Sequence, residues 1–553
     1  MRRLVRAKEM KEIDRRTIEY YKIPSMVLME RAALAVATEA RRILEENGLP
    51  AGHGGMRRTE RRARAAEPAL VWAVCGPGNN GADGIAAARI LYLWGYRTVV
   101  VTAGEHGSLG HISEEFQAQL EIAQRLGISV CDAGAFMGAE AAARTEPCSL
   151  VIDAVFGIGL SREVNGAYKT LIDLICAQRQ AFVVSVDIPS GISSDTGKSM
   201  GCHVRADSTV TFGEMKLGQA LFPGRTACGK LLVADIGFAP KAENPLLADI
   251  GAGAAFKADR ISFGCVMSCE PSDLLAVPFR RADANKGSFK KVLVIAGAVN
   301  MAGAAYFSAL AAYRCGAGMV KIFTAEENRV ILQSRLPQAI LSVFDRKEAE
   351  ERPEEFRKRL RQEMDWAGVI VIGPGLGKDD EAKIMVESVL RESSVPVVMD
   401  ADAINLAALH PQFKVLFSER LTITPHVLEM ARLTGTDVSE IKDSPIEAAS
   451  AFSAETGAVC VLKDAATVTT AGDGSVFVNR SGSPALAKGG SGDVLSGVIA
   501  GLLSIGMDMR SAAVLGVYIH GLAGERAAKE CGAHSVLCED ILNHIGEVLH
   551  VSV

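Results

Sequence analysis

Residues 70–95 read LVWAVCGPGNNGADGIAAARILYLWG, a short apolar run that leads through a glycine-rich turn into an alanine- and leucine-rich segment. A buried parallel strand followed by a crossover helix has this pattern. The strand-like runs of this half are Leu70–Val74, Thr98–Ala103, Leu150–Asp153 and Phe182–Asp187. We therefore predict an α/β domain in the N-terminal half.

A second series of strand-like runs begins at Val292–Ala296. Its further members are Met319–Thr324, Val369–Gly373, Val395–Asp400, Leu421–Thr424 and Val459–Leu462. The alternation lapses from Lys241 to about Val277, and 553 residues exceed what a single core supports. We predict domains at 1–245 and 275–553 joined by a linker at 246–274. The halves share no motif, which favours a fusion of unlike modules over a duplication.

Composition narrows the class of partner. The net charge is only −5, and no stripe of Lys and Arg with interleaved aromatic residues is present, which argues against nucleic acid. The first sixteen residues alternate in charge, unlike a signal peptide, and no apolar run approaches the ~18 residues of a membrane span. The twelve cysteines are scattered without a CxxC pair, which predicts reduced thiols. We expect a cytoplasmic protein that does not bind membranes.

One segment, Gly48–Pro68, fits neither series. It carries five arginines, which could attract phosphate groups. Those arginines are Arg57, Arg58, Arg61, Arg62 and Arg64. The alternative, which we favour, is a solvated insertion between a helix and the first strand.

Polar residues follow three N-terminal strand-like runs. Adjacent amides, Asn79 and Asn80, lie in the first glycine turn, while Asp153 and Asp187 end two later runs. The carboxyl ends of parallel strands lie along one edge of a sheet, where ligands bind. Asn80, Asp153 and Ser190 are therefore predicted oxygen ligands for a hard cation, with Asp187 as a proton-transfer group. The alternative is that each aspartate only caps the turn or helix after it.

Three motifs carry a family resemblance: GNNGADG (78–84), DAVFGIGLSREV (153–164) and VDIPSGISSDTG (186–197). Together they resemble the NAD(P)H-hydrate epimerase family over about residues 1–240. The resemblance implies a Rossmann-like α/β/α domain, a catalytic Asp187, and potassium held by Asn80, Asp153 and Ser190.

The substrate contacts that this resemblance implies lie in two loops and at Asp187. They are Asn79, Asn80, Gly81, Ala82, Asp83, Gly157, Ile158, Gly159, Leu160, Ser161, Arg162, Glu163 and Asp187. Ala82 stands where the family has a glycine, so a positive φ at this position would strain the loop.

In the C-terminal half the strongest signal is AKGGSGDVLSGVIAGLL (487–503). Gly489, Gly490 and Gly492 open a helix whose first amides can hold phosphate oxygens. Asp493 lies where it can accept a proton from an alcohol that attacks phosphorus. The alternative is that these glycines only allow close helix packing.

Further residues follow strand-like runs of this half. The turn GPGLG (373–377) exposes backbone, His426 follows Leu421–Thr424, and Lys463 ends a run where its ammonium can pair with a phosphate. A structural role for His426 is left open.

From about Leu275 to the C-terminus these segments resemble the ribokinase-like, ADP-dependent NAD(P)H-hydrate dehydratases. The resemblance implies hydrate contacts at Ala304, Gly375, His426 and Asp493, a catalytic Asp493, ADP as co-substrate and Mg²⁺. The implied nucleotide contacts are Val461, Leu462, Lys463, Asp464, Ala465 and Gly492. Val427, Leu428 and Asp464 depart from the family pattern, which leaves the fine shape of the nucleotide pocket open.

We thus expect an α/β protein in which a Rossmann-like α/β/α domain is fused to a ribokinase-like α/β domain. Its expected activities are epimerisation of the R- and S-hydrates of NADH and NADPH and ADP-dependent dehydration of the S-hydrate. The expected partners are these hydrates (NADHX and NADPHX), ADP and further copies of the chain in a homo-oligomer. The alternative is a ribokinase-like small-molecule kinase fused to a non-catalytic nucleotide-binding module.

Overall fold

A computed structural model gives the protein's structure. It describes residues 1–49, 51, 67–103, 112–134, 136, 148–238 and 265–550. The chain forms two compact units, Arg3–Ala255 and a second made of Met1–Arg2 with Phe256–Val553. Residues 52–66 of the arginine-rich segment and 246–264 of the expected linker lie outside the described residues. The domain limits 1–245, 246–274 and 275–553 therefore stay predictions.

The N-terminal unit is built on parallel strands. Its strands are β1 (Arg2–Val5), β2 (Leu70–Cys75), β3 (Arg97–Thr102), β4 (Ser129–Asp132), β5 (Leu150–Ala154), β6 (Phe182–Val186), β7 (Ser208–Phe212), β8 (Met215–Lys216) and β9 (Lys230–Ala234). Its helices are α1 (Ala7–Glu19), α2 (Ser25–Glu46), α3 (Asn79–Leu93), α4 (Glu114–Arg125), α5 (Gly166–Ala177) and α6 (Gly224–Ala227).

Seven of these strands form one sheet in the order β4-β3-β2-β5-β6-β7-β9, while β1 pairs in parallel with β8. All neighbours in the seven-stranded sheet are parallel. The order reverses between β2 and β5, so a crevice opens outside the carboxyl ends of these two strands. The glycine-rich turn follows β2, and Asp153 lies at the end of β5.

The C-terminal unit is larger. Its strands are β10 (Val266–Ser268), β11 (Val292–Ile295), β12 (Val320–Ala325), β13 (Ile340–Phe344), β14 (Val369–Ile372), β15 (Val397–Met399), β16 (Leu421–Ile423), β17 (Val459–Leu462), β18 (Val468–Thr470) and β19 (Val476–Val478). Its helices are α7 (Ala302–Arg314), α8 (Arg329–Arg335), α9 (Arg346–Glu351), α10 (Pro353–Trp366), α11 (Asp380–Glu392), α12 (Ala401–Leu409), α13 (Val427–Thr434), α14 (Val438–Asp443), α15 (Pro445–Thr456), α16 (Ser491–Ser504), α17 (Met509–Cys531) and α18 (Cys538–Leu549).

Its sheet has the order β13-β12-β11-β14-β15-β16-β17-β18-β19-β10. In this order, each neighbouring pair from β13 to β17 is parallel. The pairs β17–β18 and β18–β19 are antiparallel. The order reverses between β11 and β14, which gives this unit a switch point of its own. Strand β10 falls within the expected linker, yet it pairs with β19.

The predicted α/β class is confirmed in both units, and every predicted strand is present within one or two residues of its expected bounds. The sequence prediction missed short strands, among them β4, β7, β9 and β13. Strands β4, β9 and β13 are partly exposed at the edges of their sheets, and β7 (STVTF) is rich in hydroxyl residues, so none of the four is apolar along its whole length. No helix among the described residues is long and apolar enough to span a lipid bilayer.

Helix α16 lies against α7 through two glycines. A Cβ at Gly497 would overlap the carbonyl oxygen of Ser308. A Cβ at Gly501 would overlap Cys315 Cβ and would lie 2.8 Å from the carbonyl oxygen of Ala312. Gly497 and Gly501 therefore allow the close approach of α16 and α7. The glycines that precede Asp493 lie elsewhere, in the turn that opens the helix.

We predict that Gly497→Ala lowers the free energy of unfolding by about 1–3 kcal/mol, because the new methyl group must push α7 away. Gly546→Ala is the matched control, since Gly546 is an exposed helical residue with open space around it. It should raise stability by about 0.5–1 kcal/mol through the lost glycine entropy. Urea denaturation measures both, and equal midpoints for the two variants would contradict the packing argument.

Candidate active sites

The first glycine turn folds tightly onto the end of β5. A Cβ at Gly76 would overlap the Val155 carbonyl oxygen, and one at Gly81 would overlap that of Gly76. Helix α3 begins directly afterwards, at Asn79. Ala82 lies fully buried inside this helix and has no positive φ, so its departure from the family pattern strains nothing.

Asp153 and Ser190 meet at the carboxyl ends of β5 and β6. Asp153 Oδ2 accepts hydrogen bonds from Ser190 N at 2.9 Å and from Ser185 Oγ at 2.7 Å. The Ser190 hydroxyl accepts a bond from Phe156 N at 2.9 Å. Burial raises the pKa of Asp153, while the hydrogen bonds from Ser190 and Ser185 oppose the rise.

Asn80 approaches the same loop. A Cβ added at Gly157 would lie 2.9 Å from Asn80 Oδ1. Asp153 Oδ1 and Asn80 Nδ2 are both buried without a hydrogen-bond partner. Such atoms are costly unless a ligand, ion or water satisfies them. Because amide N and O are interchangeable in assignment, Asn80 can present oxygen here.

Asp187 has a different environment from Asp153 and shares none of its hydrogen-bond partners among the described residues. It follows β6 with a φ of +64°, which a non-glycine residue adopts only when its surroundings hold it. Its Oδ1 accepts bonds from Thr211 Oγ1 at 3.0 Å and from Phe212 N at 3.2 Å. Its backbone oxygen accepts one from Gln219 Nε2 at 2.7 Å.

Lys216 forms an ion pair with Asp187, and its ammonium also donates to Thr211 Oγ1 at 2.8 Å. The lysine is fully buried. The sequence analysis missed Lys216 because it lies 29 residues from its partner in a two-residue strand. A lysine flanked by apolar residues in FGEMKLG was the only signal.

Asp187 and Lys216 line a pocket of ≈ 150 Å³, together with Asn79, Asp83 and Ile158. Apolar side chains of α1, α2 and the segment after β9 also line it. Two predicted loops thus meet at this pocket, although Asp153 does not line it. Residues 159–163 follow Ile158 in the loop after β5.

In the C-terminal unit, Gly490 has a φ of +94° and caps the start of α16. Asp493 lies in the first turn of this helix. Burial raises the pKa of Asp493 to about 7, with the Asp400 and Asp402 carboxylates adding to the rise and Lys463 opposing it. A carboxyl group with this pKa can exchange a proton near neutral pH.

Beside Asp493 lies a buried network. Lys463 Nζ donates to Asp400 Oδ1 at 2.8 Å, and Ser496 Oγ donates to Asp400 Oδ2 at 2.6 Å. Burial opposes the ionised form of Asp400, but the Lys463 ammonium and these hydrogen bonds lower its pKa overall. A Cβ at Gly492 would lie 3.3 Å from Lys463 Nζ, so the cation lies directly beneath the helix start. The sequence prediction left Asp400 without a role.

His426 has the structural role that the sequence left open. Its Nδ1 accepts bonds from Leu428 N at 3.1 Å and Glu429 N at 3.2 Å, which caps α13. Burial lowers its pKa, as does the Lys463 charge. The side chain is half exposed at the carboxyl end of β16 and pairs through its backbone with Lys463, so it also borders the network.

The remaining predicted residues lie at strand ends of the same sheet. Gly375 has a φ of +54°, and a Cβ there would lie 2.9 Å from Ala304 Cβ, which brings these two together at the switch point. Val461 and Leu462 are buried within β17, whereas Asp464 and Ala465 are exposed just beyond it.

Each unit thus carries polar residues and backbone-exposing glycines at its own switch point, which defines a protein of two fused α/β modules. Residues 25–218 match the family model described as YjeF-related protein N-terminus, and residues 292–547 match the one described as NAD(P)H-hydrate dehydratase.

Relatives match nearly the whole chain. A bifunctional NAD(P)H-hydrate repair enzyme of Thermofilum pendens is 32% identical over 99% of this chain and 96% of its own length. One of Moorella thermoacetica is 34% identical over the same shares. Among solved structures, an ADP/ATP-dependent NAD(P)H-hydrate dehydratase of Bacillus subtilis is 30% identical, covering 51% of this chain and 97% of that one, with a TM-score of 0.44. The chain belongs to the family of bifunctional NAD(P)H-hydrate repair enzymes.

Proposed function

We propose that the N-terminal unit interconverts the R- and S-hydrates of NADH and NADPH, and that the C-terminal unit dehydrates the S-hydrate with ADP. Family membership over both units supports the pair of activities. The observation that carries the assignment is a proton-transfer carboxyl close to a lysine in each unit: Asp187 is ion-paired with Lys216, and Asp493 lies beside the Asp400–Lys463 ion pair.

In the N-terminal unit the hydrated nicotinamide ring occupies the pocket that Asp187 and Lys216 line. The turn at Asn79–Asp83 and the loop at Gly157–Glu163 hold the nucleotide through their backbone amides. Asp187 assists the loss and return of water at the hydrated carbon. Its fixed backbone and its hydrogen bonds hold the carboxylate in one orientation.

Asn80, Asp153 and Ser190 hold a potassium ion behind the two loops. Two buried polar atoms without partners, on Asn80 and Asp153, support this choice of donors. No group of three or more His, Cys, Asp or Glu side chains that could hold a metal ion occurs in the described ranges. An amide, one carboxylate and a hydroxyl suit a hard monovalent cation. With such an ion bound, Asn80 and Asp153 would be held together, which would fix the glycine turn against the end of β5.

In the C-terminal unit the amides that open α16 bind the phosphates of ADP, and the Lys463 ammonium adds positive charge beneath them. Asp493 takes the proton of the hydrate hydroxyl. At the same time the hydroxyl oxygen forms a bond to the terminal phosphorus of ADP, and AMP leaves. Phosphate then departs with its bonding electrons, a ring proton is lost, and the ring regains its double bond.

Magnesium neutralises phosphate charge in such transfers. It commonly binds through one or two carboxylates plus substrate phosphates rather than in a protein cage. The carboxylates near the start of α16 are Asp400, Asp402 and Asp493, and of these Asp400 is ion-paired with Lys463. This sparse set fits an ion that arrives with the nucleotide.

The order of the two activities follows from chirality. A chiral pocket accepts one epimer, so the R-hydrate needs the N-terminal unit before the C-terminal unit can act. We further propose that the protein works in the cytoplasm as a homo-oligomer, without nucleic acid or membrane as partner.

Two rival functions leave different products. A ribokinase-like kinase of another small alcohol would accumulate a stable phosphorylated product. A non-catalytic N-terminal module would bind the hydrate without interchange of its epimers.

The first test uses Asp187→Ala with an R,S-hydrate mixture and ADP. We predict rapid recovery of only the S share, because the R-hydrate must then wait for spontaneous interconversion. Absorbance at the reduced-nicotinamide band follows the recovery. Wild-type protein should recover the whole mixture rapidly, and full rapid recovery by the variant would refute the role of Asp187.

The second test removes potassium. Exchange of K⁺ for tetramethylammonium should slow epimerisation of a purified single epimer in the absence of ADP, because the large cation cannot enter the buried donor set. Chromatography of the two epimers measures the rate. Asp153→Asn should be slow in both salts, whereas equal wild-type rates in both salts would exclude the cation site.

The third test concerns Asp493. Because the base must be ionised, dehydration of the S-hydrate should rise with pH through about 7 and level off above it. Asp493→Asn should lower kcat by about 10²–10⁴-fold, the usual contribution of a general base. Asp365→Asn, which changes an exposed carboxyl on α10, should keep wild-type rates. A flat wild-type pH profile would count against this assignment.

A further inference from the structure

A second carboxyl faces the N-terminal pocket in a setting opposite to that of Asp187. Asp83 lies on α3, partly buried, and lines the same pocket as Asp187 and Lys216. Within the described part of the chain, its side chain has no hydrogen-bond or ion-pair partner. Asp187, by contrast, accepts two hydrogen bonds and an ion pair at one oxygen.

The charges around Asp83 favour its protonated form. The pocket is lined from α1 by Lys11 and Asp14, from α4 by Glu115, and from the sheet by Asp187 and Lys216. Lys216 is committed to Asp187, and Lys11 is exposed. The carboxylates of Asp14, Glu115 and Asp187 thus lie around Asp83. Among the described residues that line the pocket, no buried cation is left to pair with it.

The pKa of Asp83 responds to these surroundings. Burial raises it well above its ordinary value, and the charges of Asp187, Asp14 and Glu115 add to the rise. The environments of Asp83 and Asp187 therefore differ in the way that separates a general acid from a general base.

Epimerisation of the hydrate needs one group of each kind. The hydrated carbon is bonded to the ring nitrogen, so its hydroxyl can leave as water once it gains a proton. The C–O bond then breaks, and the nitrogen lone pair forms a C=N double bond. A new water attacks the opposite face and must lose a proton, while the C=N electrons return to nitrogen. One proton enters and one leaves, so the balance needs no further reactant.

We propose that Asp83 donates the proton to the departing hydroxyl on one face of the ring and that Asp187 accepts the proton from the incoming water on the other. In the reverse direction the two residues exchange roles. Exchange with solvent restores their protonation states between turnovers. This inference rests on the proposed epimerase activity and adds to it a second catalytic residue and a two-face mechanism.

The test follows one purified epimer without ADP in water enriched in oxygen-18. Wild-type protein should incorporate the label into the hydroxyl together with interconversion, because every inversion exchanges the oxygen. Asp83→Asn, which keeps the size and neutral charge of the protonated side chain, should lower kcat for both processes by about 10²-fold or more. Its KM should change less than about threefold, and Asp83→Glu should restore part of the rate.

The wild-type rate should fall as pH rises through the raised pKa of Asp83, because the acid is then lost. This alkaline fall should be absent from the residual rate of Asp83→Asn. Asp173→Asn, which alters an exposed carboxyl on α5 paired with Lys169, should keep the wild-type rate and pH profile. Thermal denaturation confirms that the variants are folded.

The outcomes distinguish a failure of the role of Asp83 from a failure of the proposed epimerase activity. If wild-type protein interconverts the epimers and Asp83→Asn does so within about threefold, the role of Asp83 is overturned. A rise in KM alone, or inversion without label exchange, overturns it as well. If wild-type protein does not interconvert the epimers at all, the proposed epimerase function itself fails.

Discussion

The structure depends on one topological constraint, the parallel pairing of neighbouring strands joined by crossover helices. Parallel pairing places all carboxyl ends on one edge of each sheet. The strand order reverses once in each unit, between β2 and β5 and between β11 and β14. Residues that are far apart in the chain therefore meet at two crevices, where glycine turns expose backbone amides. The candidate sites are consequences of strand order as much as of side-chain chemistry.

The two units place charge in a similar way. Each holds a lysine–aspartate ion pair at a strand end, Lys216 with Asp187, where the lysine is fully buried, and Lys463 with Asp400, where the aspartate is fully buried and the lysine partly exposed. A further carboxyl with a raised pKa lies close by, Asp83 in one unit and Asp493 in the other. A buried lysine stabilises its own partner, while desolvation and like charge keep the second carboxyl able to carry a proton. Two unrelated motifs thus produce a similar arrangement, in which one carboxylate is paired with a lysine and a neighbouring carboxyl has a raised pKa.

Much of this arrangement was predictable from sequence. The long apolar runs predicted strands to within one or two residues, because buried parallel strands need continuous Val, Ile and Leu. The glycine turns were also predictable, because each is a cluster of glycines between an apolar run and a helix-like segment. Ala82 replaces a glycine of the family pattern, which suggested backbone strain. Because Ala82 is helical, no such strain arises. His426 carried no local sign of its capping role, because that depends on where α13 begins.

The sequence by itself determined the α/β class, the two glycine turns, and Asp153, Asp187 and Asp493 as the carboxylates of interest, because each depends on neighbours within a few residues. Only the tertiary structure decided which charges pair. Lys216 reaches Asp187 across 29 positions and Lys463 reaches Asp400 across 63. It also gave Asp187 and Asp153 different hydrogen-bond partners, and only Asp187 lines the pocket. Pairing and protonation follow from burial and distance in space, and no sequence spacing encodes them.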